Sequence, residues 1–503
     1  MKKYLILIFV FLNFVIFSQD NTGDSNNLTD DDYLNIDISN IIDNSKKEEK
    51  KENTKKTIED AIDFNLSIEG RNLTEIRFLR NNLGNNNNVF GIPTFINRSY
   101  CDLQAGVNFG KIFQIYIDNS FRFSYDSNDI AHIKIAEHEN KYYKYFEDIV
   151  KEAYLLWNIP IKYPIKILVG RSFFNPETSW VFLTANNLNY TRKTLGSFID
   201  YDDIGVNMLK FSMYFPIVNF YLIYSPGSYQ ENNITKMFNI QTEQRFAAKV
   251  DFSFKKVNFN INGYIDTSTD SDGHPFPKWA LGASISVNVT DELILYSDLA
   301  LTSKERKLSL RKEDKKLYGN MNEYTIVENQ KHIDFSGVLI GINYSPKAWF
   351  TVYGELYFNT NGLFPDEQKE LFNNLEEVSY NYHNPEYPEF APNANDIRIK
   401  IRKYYLDKVG GVAIKYDAFR LGAFYFFTQI RKENIASTGL DLSLSTFIHL
   451  FDGSSLIMPA IKYKFLKYFS VELISNLFLG YEKSLMGEMF YLGNIRLVLE
   501  AKF

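Results

Sequence analysis

A strict two-residue alternation of apolar and polar side chains, repeated in segments of about ten residues from Asp63 to the last residue, constrains this chain more than any other feature. In 246–254, Phe246, Ala248, Val250, Phe252 and Phe254 share one face, while Lys249, Asp251 and Ser253 share the other. The next segment sets Val257, Phe259, Ile261, Gly263 and Ile265 against Asn258, Asn260, Asn262, Tyr264 and Asp266. A third sets Leu281, Ala283, Ile285, Val287 and Val289 against Gly282, Ser284, Ser286 and Asn288. Successive side chains of a strand point to opposite sides, so each segment is a ribbon with one apolar and one polar face. Brief connections, Lys255-Lys256 and Thr290-Asp291, join them as antiparallel hairpins. The same pattern marks 101–109, 111–125, 153–159, 208–215, 217–224, 292–302, 333–344, 349–358, 409–417, 419–428, 439–449, 456–465, 468–479 and 490–503, and helical periodicity is nearly absent.

Length separates a soluble sandwich from a membrane barrel. Strands of soluble sheets run nearer five or six residues, roughly half of what is seen here. Short turns alternate with long polar stretches at 126–143, 174–204, 226–243, 303–331 and 359–408, the asymmetry of a transmembrane barrel with short periplasmic turns and long outer loops. Phe113, Phe123, Phe350 and Phe358 on the apolar faces suit the bilayer interfaces. The pattern predicts an all-β fold: a single transmembrane antiparallel β-barrel of about 16–18 strands. Both chain ends on the periplasmic side require an even number of strands. The segments leave open whether Asp452-Gly453-Ser454-Ser455 is an outer or a periplasmic turn.

The N-terminus begins with the basic Met1-Lys2-Lys3, continues as an apolar run from Tyr4 to Phe17, and ends in Ser18-Gln19-Asp20. This predicts a signal peptide over 1–19, because the run is shorter than the ~20 residues a spanning helix needs. Residues 20–60, with the run Lys46-Lys47-Glu48-Glu49-Lys50-Lys51-Glu52, read as a polar low-complexity periplasmic linker, short and disordered or weakly helical. The barrel is assigned to 61–503. A TonB-dependent receptor is disfavoured, since 20–60 is too short and polar for a plug domain. Composition removes other classes. The 45% apolar content is too high for a disordered protein. With 55 Lys+Arg against 61 Asp+Glu there is no basic surplus for nucleic acid. Cys101, the single cysteine, permits no internal disulfide and no Cys-based metal cage, and reads as a small apolar packing residue.

In the last strand, Ile495, Leu497, Leu499, Ala501 and the terminal Phe503 share one face, with Arg496, Glu500 and Lys502 on the other. This strand resembles the recognition signal of Gram-negative outer-membrane barrels. The resemblance implies that Phe503 is a membrane-insertion signal, that the barrel-assembly machinery and outer-membrane lipid are partners, and that the chain resides in the cell outer membrane after export. Glu152-Ala153-Tyr154-Leu155-Leu156-Trp157 and Ile167-Leu168-Val169-Gly170-Arg171 together resemble porins of the alginate-export and substrate-porin type. Alternation puts Arg171 with Ile165, Ile167 and Val169, so no selectivity role is carried over to it, and its expected place is the outer rim.

Function is expected on the water-facing positions, which read by alternation as Asp102, Asp118, Arg122, Glu152, Lys166, Lys210, Lys249, Asp251, Glu292, Asp298, Glu355, Lys415, Asp441, Glu472, Arg496, Glu500 and Lys502. Both signs occur, and neither a basic ladder nor an acidic ring is visible, so selectivity is expected to be weak or set by loops; the alternative is that many of these charges pair across the wall and stabilise the lumen. Tyr116, Tyr154, Tyr214, Tyr264, Tyr296, Tyr353 and Tyr357 fall on the same face. Other motifs are weak. Ser268-Thr269-Asp270-Ser271-Asp272-Gly273 contains an Asp-x-Asp-Gly core but lacks the closing Glu of a calcium loop. His132 and His138 have no third zinc partner at a suitable spacing. No Gly-x-Ser-x-Gly elbow occurs, so no catalytic residue, metal or cofactor is assigned. In the largest insertion, 366–377 is helical in pattern with a stripe at Leu371, Phe372 and Leu375, and is read as a constriction, an outer cap or a shield. The sequence thus predicts a porin-like channel for passive diffusion of small hydrophilic solutes. The alternatives are a surface adhesin or structural barrel with a plugged lumen, or an exporter of polysaccharide.

Overall fold

The computed structural model describes residues 62–80, 94–127, 143–174, 190–194, 197–226, 244–267, 279–303, 306–316, 322–330, 334–360, 362–383, 421–488 and 491–503. The signal-peptide and linker segments, His132, His138, the 268–273 motif, the strand expected at 409–417 and Lys415 lie outside the described residues.

In chain order the strands are β1 (Ile62–Leu79), β2 (Phe95–Phe109), β3 (Phe113–Ser127), β4 (Tyr143–Ile159), β5 (Ile165–Ser172), β6 (Tyr190–Thr194), β7 (Ser197–Ile204), β8 (Val206–Tyr214), β9 (Val218–Ser225), β10 (Arg245–Ser253) and β11 (Val257–Asp266). They continue as β12 (Trp279–Asn288), β13 (Leu293–Thr302), β14 (Arg306–Lys316), β15 (Asn322–Gln330), β16 (Asp334–Lys347), β17 (Phe350–Phe358), β18 (Phe424–Ile435), β19 (Leu440–His449), β20 (Ser455–Leu466), β21 (Phe469–Leu479) and β22 (Tyr491–Lys502). The helix α1 (Pro365–His383) lies between β17 and β18.

Eighteen strands form one sheet in which each pairs antiparallel with its neighbour along the chain. β22 returns to β1 in register Glu69↔Lys502 to Leu79↔Tyr491, which closes the ring and leaves no sheet edge. The closure reaches the last residue: Phe503 N–H donates to Ile68 O at 2.9 Å, and Ile68 N–H donates back at 3.1 Å. With β1 and β22 meeting at the short-turn end, the 450–454 connection between β19 and β20 falls at the opposite end, among the long loops. That decides the parity the sequence left open.

Alternating burial tells which face is which. In β12, Ala280, Gly282 and Ser284 are buried while Leu281 and Ile285 are exposed. In β13, Tyr296, Asp298 and Ala300 are buried while Leu295 and Leu299 are exposed. The register sets Ser284 opposite Asp298 and Ser286 opposite Tyr296, so the polar residues of both strands share the inner face. The apolar residues form the outer belt, the arrangement that suits a barrel in lipid. Gly341 and Gly337 on β16 do a specific job. The ring of Tyr296 lies where a Cβ of Gly341 would stand, and the ring of Tyr357 does the same at Gly337. Each tyrosine thereby lies flat along the inner wall.

Five stretches correct the sequence reading. β6–β7 and β14–β15 are two-stranded hairpins inside 174–204 and 303–331, which read as loops. β1, the early half of β2 and the early half of β4 are strand as well. Their alternation is blurred because Asn72, Thr74, Asn97 and Ser99 occupy the face that carries Phe64, Leu66 and Ile76 elsewhere on β1.

α1 starts with Pro365, Asp366 and Glu367, a favourable first turn because the residues complement the helix dipole and the unpaired amides there. Glu367 accepts the Phe364 amide at 2.9 Å, closing the cap. Leu371, Phe372, Leu375 and Val378 make a fully buried stripe. Opposite flanks of the helix are held by different parts of the outer end. Asn374 Nδ2 donates to Leu310 O at 2.6 Å and Lys312 pairs with Glu377 at 2.9 Å, both on β14. Gln368 Nε2 donates to Asp452 Oδ2 at 2.9 Å, and Lys483 Nζ pairs with Glu376 at 2.7 Å. The helix therefore bridges loops that rise from β13–β16, β19–β20 and β21–β22.

Candidate functional site in the barrel lumen

The inner wall divides into two sectors. Over β5, β8, β9 and β10 the register brings inward-facing residues into adjacent rows: Lys166↔Ser212, Ser212↔Tyr221 and Tyr221↔Lys249 in one, Leu168↔Lys210 and Lys210↔Ile223 in the next. Lys210 Nζ lies 5.6 Å from the centre of the Tyr221 ring and Lys249 Nζ lies 5.8 Å from it. Lys166 Nζ lies 5.2 Å from the Tyr214 ring, which meets Tyr221 edge-on at 6.0 Å. Three ammonium groups thus share two touching tyrosines, whose ring faces are electronegative. Among the described residues the ion-paired carboxylate here is Asp251, 3.0 Å from Lys249. Beside the trio, Leu168, Phe174, Met208, Ile223 and Ala247 pack as an apolar cluster facing inward.

Elsewhere the inward charges are ion-paired or hydrogen-bonded across the wall. Asp102 accepts Arg71 at 2.7 Å and lies 3.5 Å from Lys151. Asp118 accepts Gln104 Nε2 at 3.1 Å, and Glu152 accepts Ser172 Oγ at 2.8 Å. Glu500 accepts Lys462 at 2.7 Å and Ser470 Oγ at 2.9 Å, and Asp441 lies 3.0 Å from Lys464. Glu75 is fully buried, 2.6 Å from Arg77 and 3.1 Å from Arg496. Lys502 reaches Glu69 at 3.4 Å from the rim.

The second sector runs from β16 to β22 beneath α1, and there the inner face is packed. Tyr353, Tyr357, Tyr425, Phe427, Phe447, Leu456 and Phe478 are buried. Tyr296 O–H donates to Glu355 at 2.7 Å, with Glu355 completely buried. At the outer end His449 Nδ1 lies 2.9 Å from Asp452 Oδ1. Burial opposes the charge on Asp452, yet hydrogen bonds from His449, Ser454 and the Leu485 amide hold its carboxyl well below the usual carboxylate range. Partial burial likewise opposes charge on Glu377, and hydrogen bonds from Lys312, Tyr324 and Asn322 outweigh it and lower its pKa.

Most residues expected on the water-facing side occupy inward register positions: Asp102, Asp118, Glu152, Lys166, Lys210, Lys249, Asp251, Asp298, Glu355, Asp441, Glu472, Arg496 and Glu500. Arg122 stands opposite Tyr100, an inward position, with its side chain outside the described residues. Glu292 departs from expectation. It is exposed in the turn before β13, at the short-turn rim and off the wall, because the hairpin needs 289–292 for its connection. No basic ladder is visible in the alternation, yet the structure brings Lys166, Lys210 and Lys249 together as a lysine trio. Its members are scattered over 84 positions of sequence, from 166 to 249, and only strand pairing brings them together. Tyr221, Arg71 and Arg98 were missed. Tyr221 was visible as an inward residue of 217–224, whereas Arg71 and Arg98 lie where the alternation is blurred.

No protein-family model matches the chain, and no curated protein matches it. It is similar to solved structures. The Salmonella typhi OmpF complex with daunomycin aligns at 8% identity and TM-score 0.40 over 88% of this chain and 99% of that one. Pseudomonas aeruginosa OccK5 (OpdH) aligns at 10% identity and TM-score 0.45 over 88% and 98%. Acinetobacter baumannii OccAB3 aligns at 12% identity and TM-score 0.44 over 88% and 99%. These are outer-membrane porins. Likeness at this level concerns the barrel and supplies no residue-level argument, so function is argued from the geometry of this chain alone.

Proposed function

We propose that the chain is an outer-membrane channel through which small hydrophilic solutes diffuse passively, and that it is not an enzyme. The observation that carries this reading is the closed ring of eighteen strands with an apolar belt outside and a polar wall inside. A ring of this size is wide enough for an aqueous lumen. Solutes pass along the β5–β10 sector, where half-buried lysines and tyrosines line the wall, and the inward charges predicted from alternation are pore-lining in this reading. The excess of ammonium over carboxylate among the described residues there favours anions over cations. Export by the N-terminal segment, insertion through the strand ending at Phe503 and its docking to the barrel-assembly machinery complete the proposal. Phe503 stacks on Tyr468 at 5.6 Å, a ring pair suited to the short-turn interface.

A second reading, a barrel closed to solutes that serves through its outer loops, is favoured by the packed β16–β22 sector and the helix bridging above it. One experiment separates the two. The folded full-length barrel is inserted into planar bilayers and conductance and reversal potential are recorded in a salt gradient. The channel reading expects stable steps with an anion-selective reversal potential. Heat-modifiable, folded protein that inserts without conducting would refute it in favour of the closed barrel.

A further inference from the structure

The short-turn end of the chain, the periplasmic end in transmembrane barrels, is basic. Its connections carry Lys111, Lys162, Lys255, Lys256 and Lys467, with Lys347 closing β16, against Asp291 and Glu292. Three of these lysines lie over rings close to them in the chain. Lys162 Nζ is 5.3 Å from the centre of the Tyr163 ring, Lys467 Nζ is 5.0 Å from that of Tyr468, and Lys347 Nζ is 5.2 Å from that of Trp349. At Trp349 a second ammonium arrives from β18: Lys432 Nζ lies 5.3 Å from the same ring.

Register explains why both lysines meet on the lipid side. The outward face of β17 carries Phe350, Val352 and Leu356, since Tyr353, Glu355 and Tyr357 are buried inside. Val352 stands opposite the exposed Ile430, so Phe350, the next outward position, brings Lys432 to the same face. On the other side the exposed Tyr344 stands opposite Val352, and strict alternation would turn Pro346 outward next. A bulge between Tyr344 and Lys347 adds a residue and sets Lys347 opposite Phe350 instead. Trp349 is exposed, and so is Leu442 of β19, opposite Lys432. Both lysines are exposed as well. Among the described residues neither is ion-paired, because Glu433, next to Lys432 and on the opposite face by alternation, is held by Arg431 at 3.0 Å.

We propose that Lys347, Lys432 and Trp349 bind the phosphate of a phospholipid of net negative charge in the periplasmic leaflet. Position selects a lipid. The site sits on the outer belt where Tyr344, Ile430 and Leu442 give way to the turn, the level at which acyl chains end and headgroups begin. Charge selects the headgroup. Two exposed ammonium groups gathered on one ring, without a carboxylate between them, attract an anion, whereas a zwitterionic headgroup brings a cation of its own. The stems of both lysines lie along the belt while their charged ends reach the headgroup level.

The test takes the folded full-length chain from nanodiscs made of equal parts phosphatidylglycerol and phosphatidylcholine, and counts retained lipid by native mass spectrometry. Wild type is expected to retain phosphatidylglycerol in preference to phosphatidylcholine. Lys347→Gln with Lys432→Gln is expected to lower phosphatidylglycerol retention on the order of tenfold and to leave phosphatidylcholine as it was. Lys162→Gln with Lys467→Gln, which removes charge elsewhere on the same rim, is expected to leave retention largely unchanged. A wild type without preference, a Lys347/Lys432 variant that retains lipid as wild type does, or an equal loss in the Lys162/Lys467 variant would each overturn the proposal. Displacement of the lipid by inorganic phosphate in the buffer would also overturn it, by showing a site for free phosphate. Heat-modifiable migration reports the folded barrel separately, and none of these outcomes depends on whether it conducts.

Discussion

The two halves of the inner wall solve opposite problems with the same strand pattern. Over β5–β10 the inward positions carry Lys166, Lys210, Lys249, Tyr214 and Tyr221, all half-buried, beside the buried Leu168, Met208 and Ile223. Over β16–β22 the same register positions carry Tyr353, Tyr357, Phe427 and Phe447, all buried, with the Phe427 and Phe447 rings 4.7 Å apart. Alternation alone makes both faces inner; side-chain type and the bridging helix decide how fully each is buried. The contrast teaches that strands of one alternating pattern build a charged wall or a buried aromatic one according to the residues at their inward positions.

The largest expected effect breaks the lysine side of that contrast. Lys166→Glu, Lys210→Glu and Lys249→Glu together reverse the local charge, and the reversal potential in a salt gradient is expected to change sign; an unchanged potential would show that the trio does not face the permeation path. A smaller effect sharpens the packed side. Phe372 is fully buried in the α1 stripe, and Phe372→Ala is expected to weaken helix docking by about 3 kcal/mol. Faster amide exchange in α1 and a higher conductance would report it, while exchange unchanged from wild type would deny that this ring anchors the helix. The smallest effect concerns pH. Asp452 and Glu377 both have lowered pKa values in the folded protein, so the stability they lend the α1 clamp is present above their ordinary values of 3.8 and 4.5 and is lost as pH falls through the lower folded values. Exchange protection of α1 is therefore expected to hold from neutral pH down to about pH 4 and to fail below it. Loss of protection already near about pH 6 would place the controlling group elsewhere.

Much of the architecture was legible in the residues. Phe246 to Phe254 and Leu281 to Val289 each announce a two-faced strand, because a period of two is the geometry of the backbone itself. The helix was legible too, since Leu371, Phe372 and Leu375 repeat at helical spacing and are buried as a stripe. β1 was hard to see because its outer face mixes Asn72 and Thr74, hydrogen-bonded to Ser99 and Asn97, with Ile76 and Phe78. β14–β15 read as a loop because Arg306 to Lys316 is dense in charge, and its pairing with Asn322–Gln330 owes more to the buried Leu310 and Tyr324 packed near α1 than to propensity.

The sequence by itself determined the strand period, the apolar and polar faces and the helical stripe, all of which depend on neighbours within a few residues. Only the tertiary structure decided that the ring closes at eighteen strands, that the 450–454 turn is an outer one, and that Lys166, Lys210 and Lys249 surround a single pair of tyrosines. Those facts depend on which strand lies beside which, and on the register between them. Hydrogen bonds between chains of peptide groups set that register, and a single sequence does not number them.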